Sequence, residues 1–81
     1  MITVKLLCFG ITKDIIGTFE KSLDVSVGCS VYAFLTKLKQ DFPELERLNS
    51  LRIAVNEEYV QDTFVLNHRD EVVLIPPVSG G

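Results

Sequence analysis

Two runs of apolar residues, one at each end of the chain, constrain the fold more than any other feature. The first, residues 2–9, alternates at its start and is then continuously apolar; the second, residues 71–75, is largely β-branched and has no charge after Glu71. Continuous runs of this kind are typical of strands that are buried on both faces. If the first and last strands are parallel neighbours, both runs lie in the middle of one sheet, away from its edges.

The residues between these runs predict a weaker strand, one clear helix and two short strands. Residues 18–27 predict the second strand of a hairpin, after a stretch at residues 10–17 that can form a helical turn. Ser30 is a predicted N-cap, and Pro43 predicts that the helix stops near Phe42. The helix has one apolar stripe: Val31, Phe34, Leu35, Leu38 and Phe42. Residues 51–55 and 59–60 predict the remaining strands, so we expect an α+β domain with a mixed sheet of four to five strands and one main helix across it.

Length, charge and cysteine content exclude several classes of protein. The 81 residues suffice for one domain, which rules out a two-lobed enzyme. The net charge is −3 and the basic residues form no run, so we expect no nucleic-acid partner. The sequence has no apolar stretch of membrane-spanning length, no secretory signal and only two cysteines, which predicts a cytoplasmic protein with reduced thiols. An apolar content of 47% predicts a rich core or apolar surface exposed for a partner.

Catalytic and metal-binding motifs are not apparent in the sequence. The single histidine, His68, lies in a polar turn and is interpreted as solvated. Cys8 and Cys29 are interpreted as small packed or half-exposed apolar residues, and their spacing does not suit a metal site. The pairs Glu57–Glu58 and Asp70–Glu71 are interpreted as solvated charges in turns. We therefore expect no metal and no bound cofactor.

The C-terminal residues 76–81 form the most informative segment. Proline cannot donate sheet hydrogen bonds, so Pro76 and Pro77 predict that the chain leaves the sheet after residue 75. The five residues that follow Pro76 are slim and can reach on the order of 16 Å. Such a tail could thread a tunnel in another protein and deliver its carboxylate there, whereas the alternative is a frayed terminus. We expect a body of residues 1–75 and an extended tail of residues 76–81.

Several segments resemble a known family. They are residues 9–17, residues 54–60 with Ala-Val-Asn at their start, Asp70-Glu71-Val72, and residues 75–81 with the ending Pro-Pro-Val-Ser-Gly-Gly. In these segments the chain resembles the small subunits of molybdopterin synthase, which are sulfur carriers with the ubiquitin-like β-grasp fold. Thiazole-pathway carriers and ubiquitin-like modifiers share the bare Gly-Gly end, but the full ending together with Ala-Val-Asn is much more specific to the molybdopterin branch.

The resemblance implies a chemistry that takes place at Gly81. An ATP-dependent activating enzyme of the ubiquitin-activating type would adenylate its carboxylate, and a sulfur donor system would convert it to a thiocarboxylate. The large subunit of a heterotetrameric synthase would then use this sulfur to form the dithiolene of molybdopterin on precursor Z, cyclic pyranopterin monophosphate. The small subunit would donate sulfur and have no active site of its own. The residues implied to thread into the large subunit are Pro76, Pro77, Val78, Ser79 and Gly80.

The resemblance also implies an apolar interface with the large subunit, formed by Phe9, Tyr59 and Ile75. For each of these residues, packing in the core of the domain is the alternative. Two other functions remain open at this point: a protein modifier joined to a lysine through Gly81, and an interaction module whose tail has no chemical role.

Overall fold

The computed structural model describes residues 1–48 and 51–76. The elements, in chain order, are β1 (Ile2–Cys8), α1 (Ile11–Ile16), β2 (Glu20–Val25), α2 (Val31–Asp41), a 3₁₀ helix (Pro43–Arg47), β3 (Arg52–Val55), β4 (Glu58–Tyr59) and β5 (Glu71–Ile75). The strands form one mixed sheet in the order β2-β1-β5-β3-β4. The predicted mixed sheet with one main helix is confirmed.

The two apolar runs lie side by side in the middle of the sheet. β1 pairs with β5 in parallel, from Lys5 opposite Glu71 to Cys8 opposite Leu74. The predicted parallel arrangement is therefore confirmed, and β2 and β4 form the edges. Because parallel strands run in the same direction, the C-terminal ends of β1 and β5 lie at the same end of the sheet. We call this end the tail-exit edge, since the C-terminal residues begin there; it is distinct from the edge strands β2 and β4.

Helix α2 covers one face of the sheet. The Ser30 hydroxyl accepts a hydrogen bond from the Ala33 amide at 3.1 Å, so the predicted N-cap is confirmed. The helix ends at Asp41, as Pro43 predicts, and Pro43 then begins the 3₁₀ helix. Buried residues of α2 and of the sheet form one core, with members Val4, Leu6, Cys8, Val31, Phe34, Leu38, Ile53, Val55, Val72 and Leu74.

A tight turn joins β3 to β4. Its two central residues, Asn56 and Glu57, have φ angles of 51° and 73°, the positive values that a type I′ hairpin turn requires. The register places Ala54 opposite Tyr59 and Val55 opposite Glu58. The short edge strand predicted at residues 59–60 therefore exists, although it begins one residue earlier.

The interpretation of Asp70 as a solvated charge is wrong. Its side chain is buried, and its two carboxylate oxygens accept hydrogen bonds from the Asn56 amide group at 2.9 Å and from the Asn67 backbone N–H at 2.8 Å. Glu71 is exposed, as predicted. Asp70 is buried because its carboxylate satisfies groups from two turns that meet only in the folded chain.

Candidate functional site

The turn after β1 lies against the base of the C-terminal segment. Gly10 has a φ of 58° and a ψ of −129°, a conformation that L-residues rarely adopt, and the Thr12 amide donates to the Phe9 carbonyl at 3.2 Å across it. A Cβ atom at Gly10 would lie 3.8 Å from Cγ of Pro76. The predicted tail residues Pro77 to Gly81 lie outside the described residues.

Thr12 holds this turn in place. Its side chain is fully buried, and its hydroxyl donates to the Phe9 carbonyl at 2.7 Å and accepts from the Phe9 amide at 3.0 Å. The same oxygen lies 3.5 Å from the carbonyl oxygen of Leu74 in β5. Thr12 thus ties the backbone of Phe9 to the end of the strand that leads into the tail. Sequence analysis did not identify this residue, although a threonine three residues after Phe9 is a signal for such a turn.

The sheet face opposite α2 carries an apolar row that crosses four strands. Residues directly opposite in a sheet point to the same face, and the register pairs Leu7 with Val73, Val73 with Ala54, and Ala54 with Tyr59. These positions alternate with the core residues of their strands. We call this surface the outer face.

The three residues predicted to contact a partner all belong to the outer face near the tail-exit edge. Phe9 is 52% exposed and Tyr59 is 64% exposed, whereas Ile75 is half-buried. Ile75 lies two residues after Val73 on β5, so strand alternation places it on this face. Phe9 directly follows β1, and because it is exposed while Cys8 before it is buried, we infer that it lies on the same side. The structure brings the three residues to one surface, and their contact with a partner stays a prediction.

Two cations lie on the outer face in different surroundings. The ammonium group of Lys5 lies 3.9 Å from a carboxylate oxygen of Glu20, and both side chains are partly exposed. The guanidinium group of Arg52 lies 5.0 Å from the centre of the Tyr59 ring, within the range of a cation–π interaction. Sequence analysis identified neither Arg52 nor the apolar pair Leu7 and Val73, because each is an ordinary strand residue until the register is known.

The cysteines and the histidine provide no catalytic group at this site. Cys8 is buried in the core, and burial raises the pKa of its thiol above the ordinary value, so the less reactive protonated form is favoured. Cys29 is half-buried, and neither cysteine forms a disulfide. His68 is exposed, and its Nδ1 accepts a hydrogen bond from the Thr3 amide at 3.0 Å. Within residues 1–48 and 51–76, no three His, Cys, Asp or Glu side chains are grouped to hold a metal ion.

Within the same two ranges, no helix is both long enough and apolar enough to cross a membrane.

Comparison with solved structures identifies the fold. A putative subunit 1 of molybdopterin converting factor from Pyrococcus furiosus superposes with a TM-score of 0.88 at 23% identity, over 96% of this chain and 100% of that chain. Subunits 1 and 2 of the molybdopterin-converting factor from Helicobacter pylori form a complex in another structure, which matches with a TM-score of 0.70 at 22% identity, over 99% of this chain and all of the matched one. The small archaeal modifier protein 1 of Methanosarcina acetivorans matches at 27% identity with a TM-score of 0.78, over 100% of this chain and 98% of that chain. The predicted ubiquitin-like β-grasp fold is confirmed.

Comparison with characterised sequences identifies the family. The model of the ThiS family matches residues 6–81. The molybdopterin synthase sulfur carrier subunit of Arabidopsis thaliana is 36% identical over 81 residues, which cover 99% of this chain and 84% of that protein. A match over nearly the whole chain, including the tail, shows that this protein belongs to the ThiS family, within which it resembles the molybdopterin synthase sulfur carriers as its sequence predicts.

Proposed function

We propose that this chain is the sulfur-carrier small subunit of molybdopterin synthase. The observation that carries the proposal is the position of the outer face: exposed Phe9 and Tyr59 lie on the same side of the sheet and near the edge where the chain continues from Ile75 towards Gly81. A partner that docks on this face is next to the base of the tail. The names of the sequence relatives support the same function.

The proposed chemistry divides the chain into a body, residues 1–75, and a carrier tail, residues 76–81. A carboxylate is a poor electrophile, so the activating enzyme uses ATP to join Gly81 to AMP and thereby supplies a good leaving group. Sulfur from the donor system displaces AMP and leaves a thiocarboxylate, whose sulfur is nucleophilic at neutral pH for the reason that thiolates are. The large subunit receives the tail and transfers this sulfur to cyclic pyranopterin monophosphate, and water cleaves the acyl C–S bond, so that the terminus returns to a carboxylate.

The body supplies docking surface rather than catalytic groups in this proposal. Pro76, Pro77, Val78, Ser79 and Gly80 pass through the large subunit, and Phe9, Tyr59 and Ile75 contact its surface within a heterotetrameric synthase. The complex of two subunits in the Helicobacter pylori protein supports a large-subunit partner. We place the protein in the cytoplasm, since two cysteines without a disulfide suit a reducing compartment.

The mass of the intact chain tests the proposal directly. After co-expression with the activating enzyme and a sulfur donor, we expect the mass increase that corresponds to one oxygen replaced by one sulfur. Deletion of Gly81 should abolish the increase, while Ser79→Ala, which keeps both glycines, should retain it. A wild-type chain whose mass never changes under these conditions would contradict the proposal.

A protein modifier is the second candidate, and the similarity to a small archaeal modifier protein favours it. In that function Gly81 forms an amide bond with a lysine of a target protein. Tryptic digests of cell extract would then contain branched peptides in which residues 70–81, the segment after Arg69, are joined through Gly81 to a lysine. A thiazole-pathway carrier would instead restore growth without thiamine, whereas the proposed subunit should restore activity of molybdenum enzymes. An interaction module whose tail has no chemical role would keep its biological activity when the terminus is capped as an amide.

A further inference from the structure

We propose that Arg52 recognises a carboxylate on the large synthase subunit, next to the opening that receives the tail, and that Tyr59 orients the Arg52 guanidinium group for this contact. The inference rests on the proposed function and goes beyond it, since it assigns the partner a chemical group and this chain a residue that selects it.

The position of Arg52 places its side chain beside the start of the tail. It is the first residue of β3 and lies directly opposite Ile75, the last residue of β5, in the antiparallel register. Directly paired residues share a face, so the Arg52 side chain leaves the sheet on the outer face. Pro76, the residue after Ile75, begins the segment that would enter the partner. A partner that takes up the tail must therefore approach Arg52.

Tyr59 restricts where the guanidinium group can lie. Tyr59 pairs with Ala54, which is two residues after Arg52 on the same strand and therefore on the same face. The guanidinium lies 5.0 Å from the centre of the ring, across the apolar surface of the outer face. Stacking of this kind leaves the planar N–H groups at its rim free to donate to a carboxylate in a bidentate manner. A side chain held in this way loses less conformational entropy when a partner binds.

No carboxylate among the described residues pairs with Arg52, so its guanidinium group is free to pair with a carboxylate of a partner. Among the described residues the only ion pair joins Lys5 to Glu20, and Arg52 forms none. The neighbouring carboxylate on β4, Glu58, lies opposite the core residue Val55 and therefore belongs to the other side of the sheet. Arg52 is exposed, and its neighbours on the outer face, Ala54 and Ile75, present apolar side chains.

A partner surface that covers Arg52 must neutralise it, because burial of an unpaired charge is strongly unfavourable. The terminal carboxylate of the tail is itself negative, so the opening that receives it should be basic. A carboxylate opposite Arg52 would then be a local exception in that surface. Such an exception fixes the orientation in which the carrier docks and rejects carriers without a cation at this position.

Binding of the unmodified carrier to the purified large subunit, measured by calorimetry, tests the inference without dependence on the activating enzyme. We expect Arg52→Glu to weaken binding by about tenfold or more, the range of close interfacial charge pairs. Arg52→Lys should recover part of the loss, and Arg52→Gln should bind with a weaker dependence on salt than the wild type. Arg47→Glu makes the same charge change at an exposed site on the 3₁₀ helix and should bind like the wild type.

A second experiment identifies the group on the partner. Acidic residues of the large subunit around its tail opening are changed one at a time to lysine, and we expect one of them to restore binding of Arg52→Glu. Thermal unfolding of each carrier variant confirms that it is folded, and Arg52→Gln serves as the neutral variant if Arg52→Glu does not fold.

The outcomes separate the two proposals. If the wild-type chain does not bind the large subunit, the proposed function fails. If the wild type binds and Arg52→Glu or Arg52→Gln binds equally well, the function stands and the inference about Arg52 is overturned. Equal losses in Arg52→Glu and Arg47→Glu would also overturn it, because they would show a general effect of net charge.

Discussion

Thr12 is the residue on which the geometry of the site depends most directly. Its hydroxyl satisfies both the N–H and the C=O of Phe9 and lies beside the carbonyl of Leu74. Because the side chain is fully buried, water does not replace these bonds when the hydroxyl is lost. One buried oxygen atom therefore couples an exposed aromatic residue to the strand that continues into the tail.

We expect Thr12→Val to lower the free energy of unfolding by about 1–3 kcal/mol, since a nearly isosteric side chain leaves the Phe9 N–H without its acceptor and removes one of the two donors to the Phe9 carbonyl. Urea unfolding followed by circular dichroism measures the change. Thr12→Ser keeps the hydroxyl and loses one methyl group, so its loss should be smaller. A larger loss for serine than for valine would show that packing, and not hydrogen bonding, is the role of Thr12.

Individual residues also show what could not be predicted from the sequence. The buried position of Leu74 follows from a continuous apolar run and was predicted, whereas Cys8, for which the sequence left packed and half-exposed positions open, is buried. Asp70 looks like any polar turn residue, yet its carboxylate bonds to Asn56, which is 14 residues away in the sequence. A bond of this kind depends on two turns that meet in space, and neither turn contains that information by itself.

At the scale of elements, α2 is the part of the fold that local sequence signals determine best. The Ser30 side chain caps its first turn, the apolar stripe faces the core, and Pro43 follows its last residues. The sequence of residues 43–49 predicts a connection anchored by two leucines; the structure has a 3₁₀ helix at Pro43–Arg47, and its Leu45 is fully buried in the core. Short 3₁₀ segments have little periodicity, so their sequence does not distinguish them from loops.

The cap of α2 gives an independent test of this description. Ser30→Ala removes the acceptor for the Ala33 amide and should lower the free energy of unfolding by about 1 kcal/mol. Ser26→Ala is the matched control, because Ser26 is exposed and its side chain forms no hydrogen bond among the described residues; its effect should stay within about 0.5 kcal/mol. Thermal or urea unfolding of both variants measures the difference. Equal effects would show that the cap does not stabilise the domain.

At the scale of the whole molecule, the two sides of the sheet have different roles. Helix α2 covers one side and completes the core, whereas the outer face stays open and carries Phe9, Tyr59 and Arg52 near the tail-exit edge. Tyrosine and arginine are both enriched among the residues that dominate binding at protein interfaces, and Tyr59 and Arg52 lie together on this face. In the proposed function, the apolar content of the sequence therefore serves two purposes, a core on one side of the sheet and a docking surface on the other.

Two tyrosines of almost equal exposure allow a controlled test of this asymmetry. Tyr59 is 64% exposed on the outer face, and Tyr32 is 63% exposed on α2, in the layer on the other side of the sheet. Tyr59→Ala should weaken binding to the large subunit by about 2 kcal/mol, as expected for a hot-spot aromatic residue. Tyr32→Ala should leave binding unchanged. Calorimetry with the purified large subunit measures both effects. A stronger effect of Tyr32→Ala than of Tyr59→Ala would show that the large subunit binds the α2 side and not the outer face.

The sequence by itself determined which segments form the long strands and the main helix. It could do so because strand and helix periods, the Ser30 cap and Pro43 act within a few residues. Its ending also carries the family resemblance on which the proposed chemistry rests, since Gly-Gly after Pro-Pro is a property of the chain and not of its fold. Only the tertiary structure decided which side chains share a surface. A shift of one residue in the register of β3 against β5 would move Arg52 to the core side of the sheet, since strand side chains alternate with a period of two. The outer face exists because long-range pairing fixes that register.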